Sequence, residues 1–411
     1  MPKPVFKHWC SALLLSLHGT LLAQSALAPL PASTPPMGWM SWNLLGDQVN
    51  ERDLKAMADA MIASGMRKAG YDHLFIDDGW QGGRDETKQL IADPKKFPSG
   101  IKALADYLHA RGLKLGIYSD AAPLTCAGYM GSLGFEDQDA KTFADWGVDF
   151  LKYDYCNAPP GTATAVARYR RMGEALANSG RTILYSICEW GDRQPWKWAA
   201  EVGGHLWRTT ADIRDKWKKL PQESSGVGIL DVYDINVELQ SYAAPGRWND
   251  ADMLVVGLRG HAGPAALLGG AGASDIEYQS QFALWAMMHS PLYASNDLRR
   301  MSAATLRILG NTEVIALNQD PLGKAAVRVI HAPPWDVLVK PLANGDTAVA
   351  ILNRADQAAA YSLPFEALGI QGAVPVRDLH AHKDLGRMAQ WRGTLAGHET
   401  KLLRLRAAPR G

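Results

Sequence analysis

The segment LKYDYC, residues 151–156, places three reactive side chains in one short apolar and aromatic stretch. Lys152, Asp154 and Cys156 are two residues apart, so in a β-strand all three would point to the same face. A buried ionised carboxylate is costly unless a nearby cation or hydrogen bonds stabilise it. The stretch therefore predicts either a structural ion pair between Asp154 and Lys152 or a carboxylate with a chemical task.

Charged side chains recur at the ends of the other predicted strands. Eight strand candidates cover residues 37–43, 73–78, 114–120, 150–155, 182–190, 205–210, 247–254 and 291–297, with amphipathic helical stretches between them. This alternation favours a (β/α)8 TIM barrel over a doubly wound sheet, in which the carboxyl ends of all strands converge on one face. No G-x-G-x-x-G follows any of these strands, which lowers the dinucleotide-binding alternative. The strand-end residues are Asp77, Asp78, Asp120, Asp154, Glu189, Arg208 and Asp252.

The pattern of alternating strand and helix candidates ends near residue 324. Two alternating runs flank Asn344-Gly345, a pair typical of a type I′ hairpin turn, and no long helical pattern follows. We therefore predict a catalytic barrel over residues 29–324 and a C-terminal antiparallel β domain over residues 325–411.

The N-terminus has the pattern of a secretory signal peptide. Lys3 and Lys7 precede a short apolar run, and AQSALA then offers small residues for cleavage. The run is too short and broken to span a bilayer as a helix in the mature protein, although a buried helix is an alternative. Residues 1–28 are therefore predicted to direct export, so that the protein is secreted or periplasmic and disulfides are permitted. Cys126, Cys156 and Cys188 remain in the mature chain.

The composition excludes several classes of function. A formal net charge of +1 argues against nucleic acid or an anionic membrane as a partner of the mature protein. The 11 histidines are scattered, and no H-E-x-x-H, Walker A or G-x-S-x-G pattern occurs, so no metal and no cofactor is expected. Carboxylates at strand ends, together with 14 tryptophans, suit glycoside hydrolysis, which uses one ionised carboxylate and one protonated carboxylic acid.

Nine sequence motifs, in a fixed order along the chain, indicate a resemblance to a known family. TPPMGWMSWN, IDDGW, GIYSD, TFADWGVDFLKYDYC, CEWG, WRTTADI, WNDADML, SNDLR and NQDPLG span about residues 34–324. Together they resemble family 27 of the glycoside hydrolases, which contains α-galactosidases and α-N-acetylgalactosaminidases. The resemblance implies a barrel with a C-terminal β-sandwich, a terminal α-galactoside as substrate and no metal. An α-N-acetylgalactosaminidase, a β-L-arabinopyranosidase and a galactose-binding protein without activity are the alternatives.

The resemblance also assigns the two catalytic roles. It makes Asp154 the nucleophile, kept ionised by Lys152, and Asp212 the acid/base whose carboxyl must be protonated to assist the leaving group. Burial and a neighbouring carboxylate are expected to raise the pKa of Asp212. Asp215, three residues further on, is the rival candidate for this second role.

The remaining strand-end residues are implied to bind the sugar. Asp77 and Asp78 would accept hydrogen bonds from the axial 4-hydroxyl and the 6-hydroxyl, and Trp42 would pack on the sugar ring. The alternatives are a structural partner for Asp77 and plain core packing for Trp42. Glu189, near the 2-hydroxyl, argues for galactose over N-acetylgalactosamine. The implied substrate-binding set is Trp42, Asp77, Asp78, Tyr118, Lys152, Glu189, Arg208 and Asp252.

The resemblance further implies a disulfide between Cys126 and Cys156, with Cys188 left as a thiol. The sequence departs from the family at Ala251, where proline is usual, and in a Gly- and Ala-rich insertion at residues 257–272. Because the insertion follows the seventh strand, it is expected to overhang the active-site face and to affect the leaving-group side.

Overall fold

The computed structural model describes Met1 and residues 30–223, 225–260 and 272–406. The predicted signal peptide and most of the Gly-rich insertion lie outside these residues. Within the described part of the chain, no helix combines the length and the apolar character that a bilayer crossing requires.

Eight parallel strands form the first and larger unit. They pair in the order β8-β1-β2-β3-β4-β5-β6-β7. Leu254, just after β7, makes a parallel bridge with Ala294 of β8, and this contact closes the sheet into a barrel. The strands are β1 (Met37–Met40), β2 (His73–Phe75), β3 (Lys114–Asp120), β4 (Phe150–Asp154), β5 (Leu184–Ile187), β6 (Leu206–Arg208), β7 (Trp248–Asp250) and β8 (Leu292–Ala294). All eight predicted strands are present, but most are shorter than predicted.

Helices surround the barrel. They are α1 (Trp42–Leu45), α2 (Glu51–Ala63), α3 (Met66–Ala69), α4 (Gly100–His109), α5 (Glu136–Trp146), α6 (Thr162–Ala177), α7 (Ile229–Asn236), α8 (Asp275–Met287), α9 (Ala303–Leu309) and α10 (Thr312–Asn318). Between β5 and β6 the crossover uses two short 3₁₀ turns, Pro195–Lys197 and Ala199–Val202.

The period of each element decides which side chains face the barrel interior. In α4 the buried residues are Ile101, Leu104, Ala105 and Leu108, which form one helical stripe against the sheet. In the strand β4, successive side chains alternate between the two faces of the sheet. Tyr153 points outward and contacts Tyr169 of α6, with the ring centroids 5.9 Å apart. Lys152 and Asp154 therefore face the interior, as their spacing predicts.

The second unit is an antiparallel β domain. Its strands are β9 (Val327–Ala332), β10 (Trp335–Pro341), β11 (Thr347–Asn353), β12 (Ala359–Pro364), β13 (Val374–Asp378), β14 (Lys383–Met388), β15 (Gln390–Leu395) and β16 (Thr400–Leu405). Six pair in the order β9-β10-β11-β16-β13-β14, and β12 pairs with β15. Their apolar faces enclose a core that includes Trp335, Val349, Phe365 and Trp391.

The predicted hairpin around Asn344-Gly345 joins β10 to β11, but its turn is not type I′. A type I′ turn needs positive φ at both central residues, and here Gly345 (φ 88°) has it while Asn344 does not. The loop spans five residues, and the Asn344 side chain accepts a hydrogen bond from the Asp346 amide at 3.0 Å. Asn344 therefore serves as a side-chain acceptor and not as a left-handed turn residue.

Candidate active site

A cavity of about 140 Å³ opens at the carboxyl ends of the barrel strands. Every strand from β1 to β7 except β5 contributes to it a residue that the sequence singled out. The singled-out residues that line it are Trp42, Asp77, Asp78, Tyr118, Cys126, Lys152, Asp154, Cys156, Arg208, Asp212 and Asp252. The convergence that the barrel predicts is therefore present in the folded chain.

Asp154 is the last residue of β4 and is almost completely buried. The Tyr118 hydroxyl donates to its Oδ2 at 3.1 Å, and the Tyr155 amide donates to its Oδ1 at 3.1 Å. No ion pair within 4 Å is made by Asp154 with any described residue; Lys152 bonds instead to Asp77, with Nζ and Oδ2 2.8 Å apart. The structural alternative, a direct Asp154–Lys152 salt bridge, is therefore not what the fold forms.

Asp77 and Asp78 follow β2 and are both buried. The Asp78 carboxylate accepts amide hydrogen bonds from Gly79 and from Ala127, each at 2.8 Å. The second bond ties the end of β2 to the loop after β3. One wall of the cavity is thus formed by two adjacent carboxylates, which are hydrogen-bond acceptors, and by the Lys152 ammonium, which is a donor.

Arg208, the last residue of β6, holds two carboxylates at once. Its Nη2 lies 2.7 Å from Asp252 Oδ2 and 3.1 Å from Asp212 Oδ1. Asp252 has positive φ (69°), an uncommon conformation for a residue with a side chain and one that clusters at functional sites. The Ile213 amide also donates to Asp252 at 2.8 Å, so the segment after β6 is fixed to the end of β7.

The two candidate catalytic carboxyls differ in exposure and in pKa. Burial raises the pKa of Asp154 to about 7; the Lys152 ammonium opposes this rise and the Asp212 carboxylate adds to it. For Asp212 burial also acts upward, but the Arg208 guanidinium and the Lys152 ammonium outweigh it and lower the pKa. The Asp212 side chain is 47% exposed at the mouth of the cavity, so water still solvates its charge. The order of the two pKa values is opposite to the sequence-based prediction.

Asp215, the rival for the acid/base role, serves a structural purpose. Its carboxylate accepts from the Gly260 and Ala273 amides at 2.8 and 3.0 Å and from the Tyr278 hydroxyl at 2.9 Å. It does not line the cavity. Asp215 instead holds together Gly260 and Ala273, which lie on opposite sides of the undescribed part of the Gly-rich insertion.

Glu189 does not line the cavity either. It is buried and forms an ion pair with Arg193, with its Oε2 3.0 Å from Nη1. Trp190, the next residue, lines the cavity in its place and has positive φ (58°). The sequence contains a signal for this residue, because Trp190 is the last residue of the predicted strand 182–190, beside Glu189.

The disulfide implied by the resemblance is present. Cys126 and Cys156 are joined across the loops that follow β3 and β4, and Cys188 is a buried thiol. Carboxylate oxygens of Asp120 and Asp154 lie within 4.8 Å of these sulfurs, but a metal would need the sulfurs as thiolates. The group is therefore a covalent brace beside the candidate nucleophile.

The cavity is also lined by residues that were not singled out from the sequence. They are Asn43, Ile213, Arg214 and Met253.

Comparison with known proteins identifies the family. The model of the family described as alpha galactosidase A matches residues 34–320, and that of the alpha galactosidase C-terminal beta sandwich domain matches residues 332–405. The chain belongs to the α-galactosidase family, glycoside hydrolase family 27. Its relatives in this family are glycoside hydrolases, and many are α-galactosidases.

Individual relatives cover most of the chain. It is 48% identical to alpha-galactosidase A of Cellvibrio japonicus over 85% of this chain and 82% of that one. The structure of α-galactosidase I from Mortierella vinacea matches with a TM-score of 0.85 at 36% identity, covering 93% and 98% of the two chains. That of the Saccharomyces cerevisiae α-galactosidase with raffinose matches with a TM-score of 0.83 at 27% identity, covering 92% and 100%.

Proposed function

We propose that the protein hydrolyses terminal α-linked galactose with retention of configuration at the anomeric carbon. Asp154 attacks that carbon, and Asp212 protonates the leaving oxygen and then activates water. The observation that supports these roles is the contrast between the two carboxyls. One is buried at the base of the cavity, and the other lines the same cavity but is 47% exposed at its mouth, where a leaving group would depart.

The proton has to move between these carboxyls when substrate binds. In the protein alone, the higher pKa belongs to Asp154 and the lowered one to Asp212. A galactoside that covers the mouth of the cavity removes water from Asp212, and desolvation of a carboxylate raises its pKa. Because the negative charge of Asp212 helps to raise the pKa of Asp154, protonation of Asp212 removes this effect and lowers the pKa of Asp154. Substrate binding thereby sets the protonation states that the first step requires.

The wall formed by Asp77, Asp78 and Lys152 is suited to recognise galactose. Two carboxylates accept hydrogen bonds from hydroxyls, while the ammonium donates. An epimer that lacks the axial hydroxyl would leave buried acceptors unpaired, which costs far more than a lost methylene contact. Glu189 pairs with Arg193 outside the cavity lining, so Trp190 and not the Glu189 carboxylate is the side chain of this segment that can contact the sugar.

No cofactor is assigned, because two carboxyls and water suffice for this reaction. We further propose that residues 1–28 direct export, on the basis of the basic start, the short apolar run and the small-residue cleavage region.

A panel of nitrophenyl glycosides tests the substrate assignment. It comprises the α-galactoside, the α-N-acetylgalactosaminide, the β-L-arabinopyranoside and the β-galactoside. The expected result is the highest kcat/KM for the α-galactoside. A better arabinopyranoside or acetylgalactosaminide would overturn the choice of sugar, and galactose binding without turnover of any of the four would overturn the enzymatic proposal.

A further inference from the structure

Arg214 is a cation at the mouth of the cavity, and none of the described residues pairs with it. It lines the cavity together with Asp212. Its side chain makes no hydrogen bond and no ion pair within 4 Å with any residue in the described ranges. The acids nearest in sequence are already engaged, since Asp212 bonds to Arg208 and Asp215 holds the Gly260 and Ala273 amides. Its five guanidinium donors are therefore not used by any of the described residues.

The backbone holds Arg214 in place. Its amide donates to the Val227 carbonyl at 2.7 Å, and the Val227 amide donates back to the Asp212 carbonyl at 3.0 Å. Ile213 forms a parallel bridge with Val227 between these two bonds. The stretch from Asp212 to Arg214 is thus an extended segment fixed at both ends.

A glycine makes room for the Arg214 side chain. Gly226 has φ of 74°, and a Cβ at this position would lie 2.4 Å from Arg214 Nε and 2.5 Å from Arg214 Cγ. Any side chain at residue 226 would therefore displace the arginine. The guanidinium lies across this glycine, which restricts its conformations and lowers the entropy lost when it binds a ligand.

The position of Arg214 relates it to the leaving group. The candidate sugar-binding residues Asp77, Asp78 and Asp154 are buried, whereas Asp212 and Arg214 are partly exposed. In an extended segment, residues two apart face the same side, so the Arg214 side chain emerges beside that of Asp212. The acid/base must contact the leaving oxygen, and a neighbour on its solvent side then faces the rest of the leaving group.

We infer that Arg214 binds hydroxyl oxygens of a sugar leaving group, so that the enzyme prefers galactose linked to another sugar over galactose linked to an apolar aglycone. A guanidinium offers five donors in a planar fork, which matches adjacent hydroxyls, whereas a lipid or aryl group has few acceptors for it. This inference rests on the proposed function, because it takes Asp212 as the residue at the leaving oxygen.

Binding to an inactive background separates recognition from catalysis. We would measure the dissociation constants of raffinose and of galactose for Asp154→Asn and for Asp154→Asn combined with Arg214→Met. Removing the fork is expected to weaken raffinose binding about tenfold, the effect of a lost charge-assisted hydrogen bond, and to leave galactose binding within about twofold. Equal changes for both ligands, or no change for raffinose, would overturn the inference.

Two further variants complete the design. Arg214→Lys keeps the charge but loses the fork, so raffinose binding should remain weakened. Arg392→Met removes an exposed arginine of β15 and should change neither constant. If Arg214→Lys restores raffinose binding completely, a single ammonium donor suffices and the planar fork is not what recognises the leaving group, which contradicts the inference. Hydrolysis of nitrophenyl α-galactoside by the unmodified protein is measured separately, so failure of the proposed function is distinguishable from failure of this inference.

Discussion

Two regions of this molecule surround their buried carboxylates in opposite ways. At the seam between the two domains, Asp336 of β10 is fully buried. Its Oδ2 accepts from the Tyr233 hydroxyl at 3.0 Å and from Arg354 at 2.8 Å, and its Oδ1 bonds to His331 at 2.6 Å. Arg354 also binds Asp234 of α7 with both terminal nitrogens, which joins the domains. Despite burial, these partners lower the pKa of Asp336.

At the active-site face, one buried carboxylate is only partly hydrogen-bonded. Asp120, the last residue of β3, accepts from the Cys156 amide at 2.9 Å through Oδ2, but its Oδ1 has no partner among the described residues. Burial and the nearby Asp154 raise the pKa of Asp120 to about 9. Neither Asp120 nor Asp154 is in contact with a guanidinium in the described part of the chain, although Arg208 is close enough to influence the pKa of Asp154.

The difference shows how one fold uses the same side chain for two purposes. A buried carboxylate with every oxygen satisfied stabilises the structure as long as its partners remain. One with an unsatisfied oxygen is less stable but keeps its lone pairs for a ligand, and its pKa lies near the range in which protons can be exchanged. Ionised Asp120 and Asp154, whose pKa values are raised, therefore destabilise the folded protein, whereas ionised Asp336 stabilises it.

The largest expected effect comes from Asp154→Asn. Replacing the proposed nucleophile should lower kcat/KM for nitrophenyl α-galactoside by at least about 10⁴-fold, since the first displacement cannot occur without it. The melting temperature should stay the same or rise, because a costly buried carboxyl is removed. Activity assays and thermal unfolding check the two parts. A clear fall in melting temperature together with residual activity above one per cent would contradict the proposed role.

Asp336→Asn is expected to lower stability and to leave activity nearly unchanged, the reverse of Asp154→Asn. Removing one partner of a buried ion-pair network leaves arginine charges uncompensated, and we expect the free energy of unfolding to fall by roughly 3 kcal/mol. Denaturant unfolding measures this change, and kcat/KM should stay within about twofold of the unmodified protein. Because the folded pKa of Asp336 is lowered from 3.8, its contribution is present above about pH 4 and is lost as the pH falls below that value. A large loss of activity without loss of stability would refute the division between the two regions.

Asp120→Asn tests the cost of an incomplete shell through pH. A carboxyl whose folded pKa is raised from 3.8 to about 9 binds more protons when folded, so stability declines as the pH rises from about 4 to 9. The neutral variant lacks this decline. We expect it to be more stable than the unmodified protein by about 1 kcal/mol or more at pH 8 and to differ little at pH 4. Thermal unfolding at both pH values tests this, and a loss of stability at pH 8 would mean that Asp120 is ionised and stabilising in the folded protein.

The smallest expected effect concerns Lys340 of β10, the exception at the seam. Its side-chain nitrogen is buried and, among the residues that the structure describes, bonds only to His289 and to the Ala286 carbonyl; burial lowers its pKa well below 10.5. A lowered lysine pKa destabilises the folded state wherever the unfolded chain would be charged, so Lys340→Met should raise stability at pH 7 by about 1 kcal/mol. Unfolding of the exposed-site control Lys383→Met should be unchanged. A loss of stability in Lys340→Met alone would show that this lysine is a required hydrogen-bond donor.

Much of the barrel and its site could be predicted from the sequence. Apolar strands ending in charged residues, with amphipathic helices between them, leave few alternatives to a parallel barrel, and Lys152 and Asp154 follow from a period of two. The Trp42, Asp77 and Asp252 positions follow from the family motifs. Strand lengths were overestimated because strand ends depend on pairing with neighbours, which a single segment does not contain.

Other features could not be predicted, because they depend on contacts between distant segments. The Glu189 side chain turns to Arg193 instead of the cavity, and this orientation is set by the backbone of the loop. The order of the pKa values of Asp154 and Asp212 depends on which carboxylate Arg208 reaches. Arg214 has no motif of its own, and its place at the mouth of the cavity follows from its pairing with Val227.

The central claim is that Asp154 forms the covalent bond, and the anomer released first tests it most directly. Proton NMR follows nitrophenyl α-galactoside through the first turnovers, before mutarotation mixes the products. Two displacements at the anomeric carbon predict that α-galactose appears first and that β-galactose accumulates only later. Initial β-galactose would mean a single displacement by water, and Asp154 would then be a general base that never bonds to the sugar.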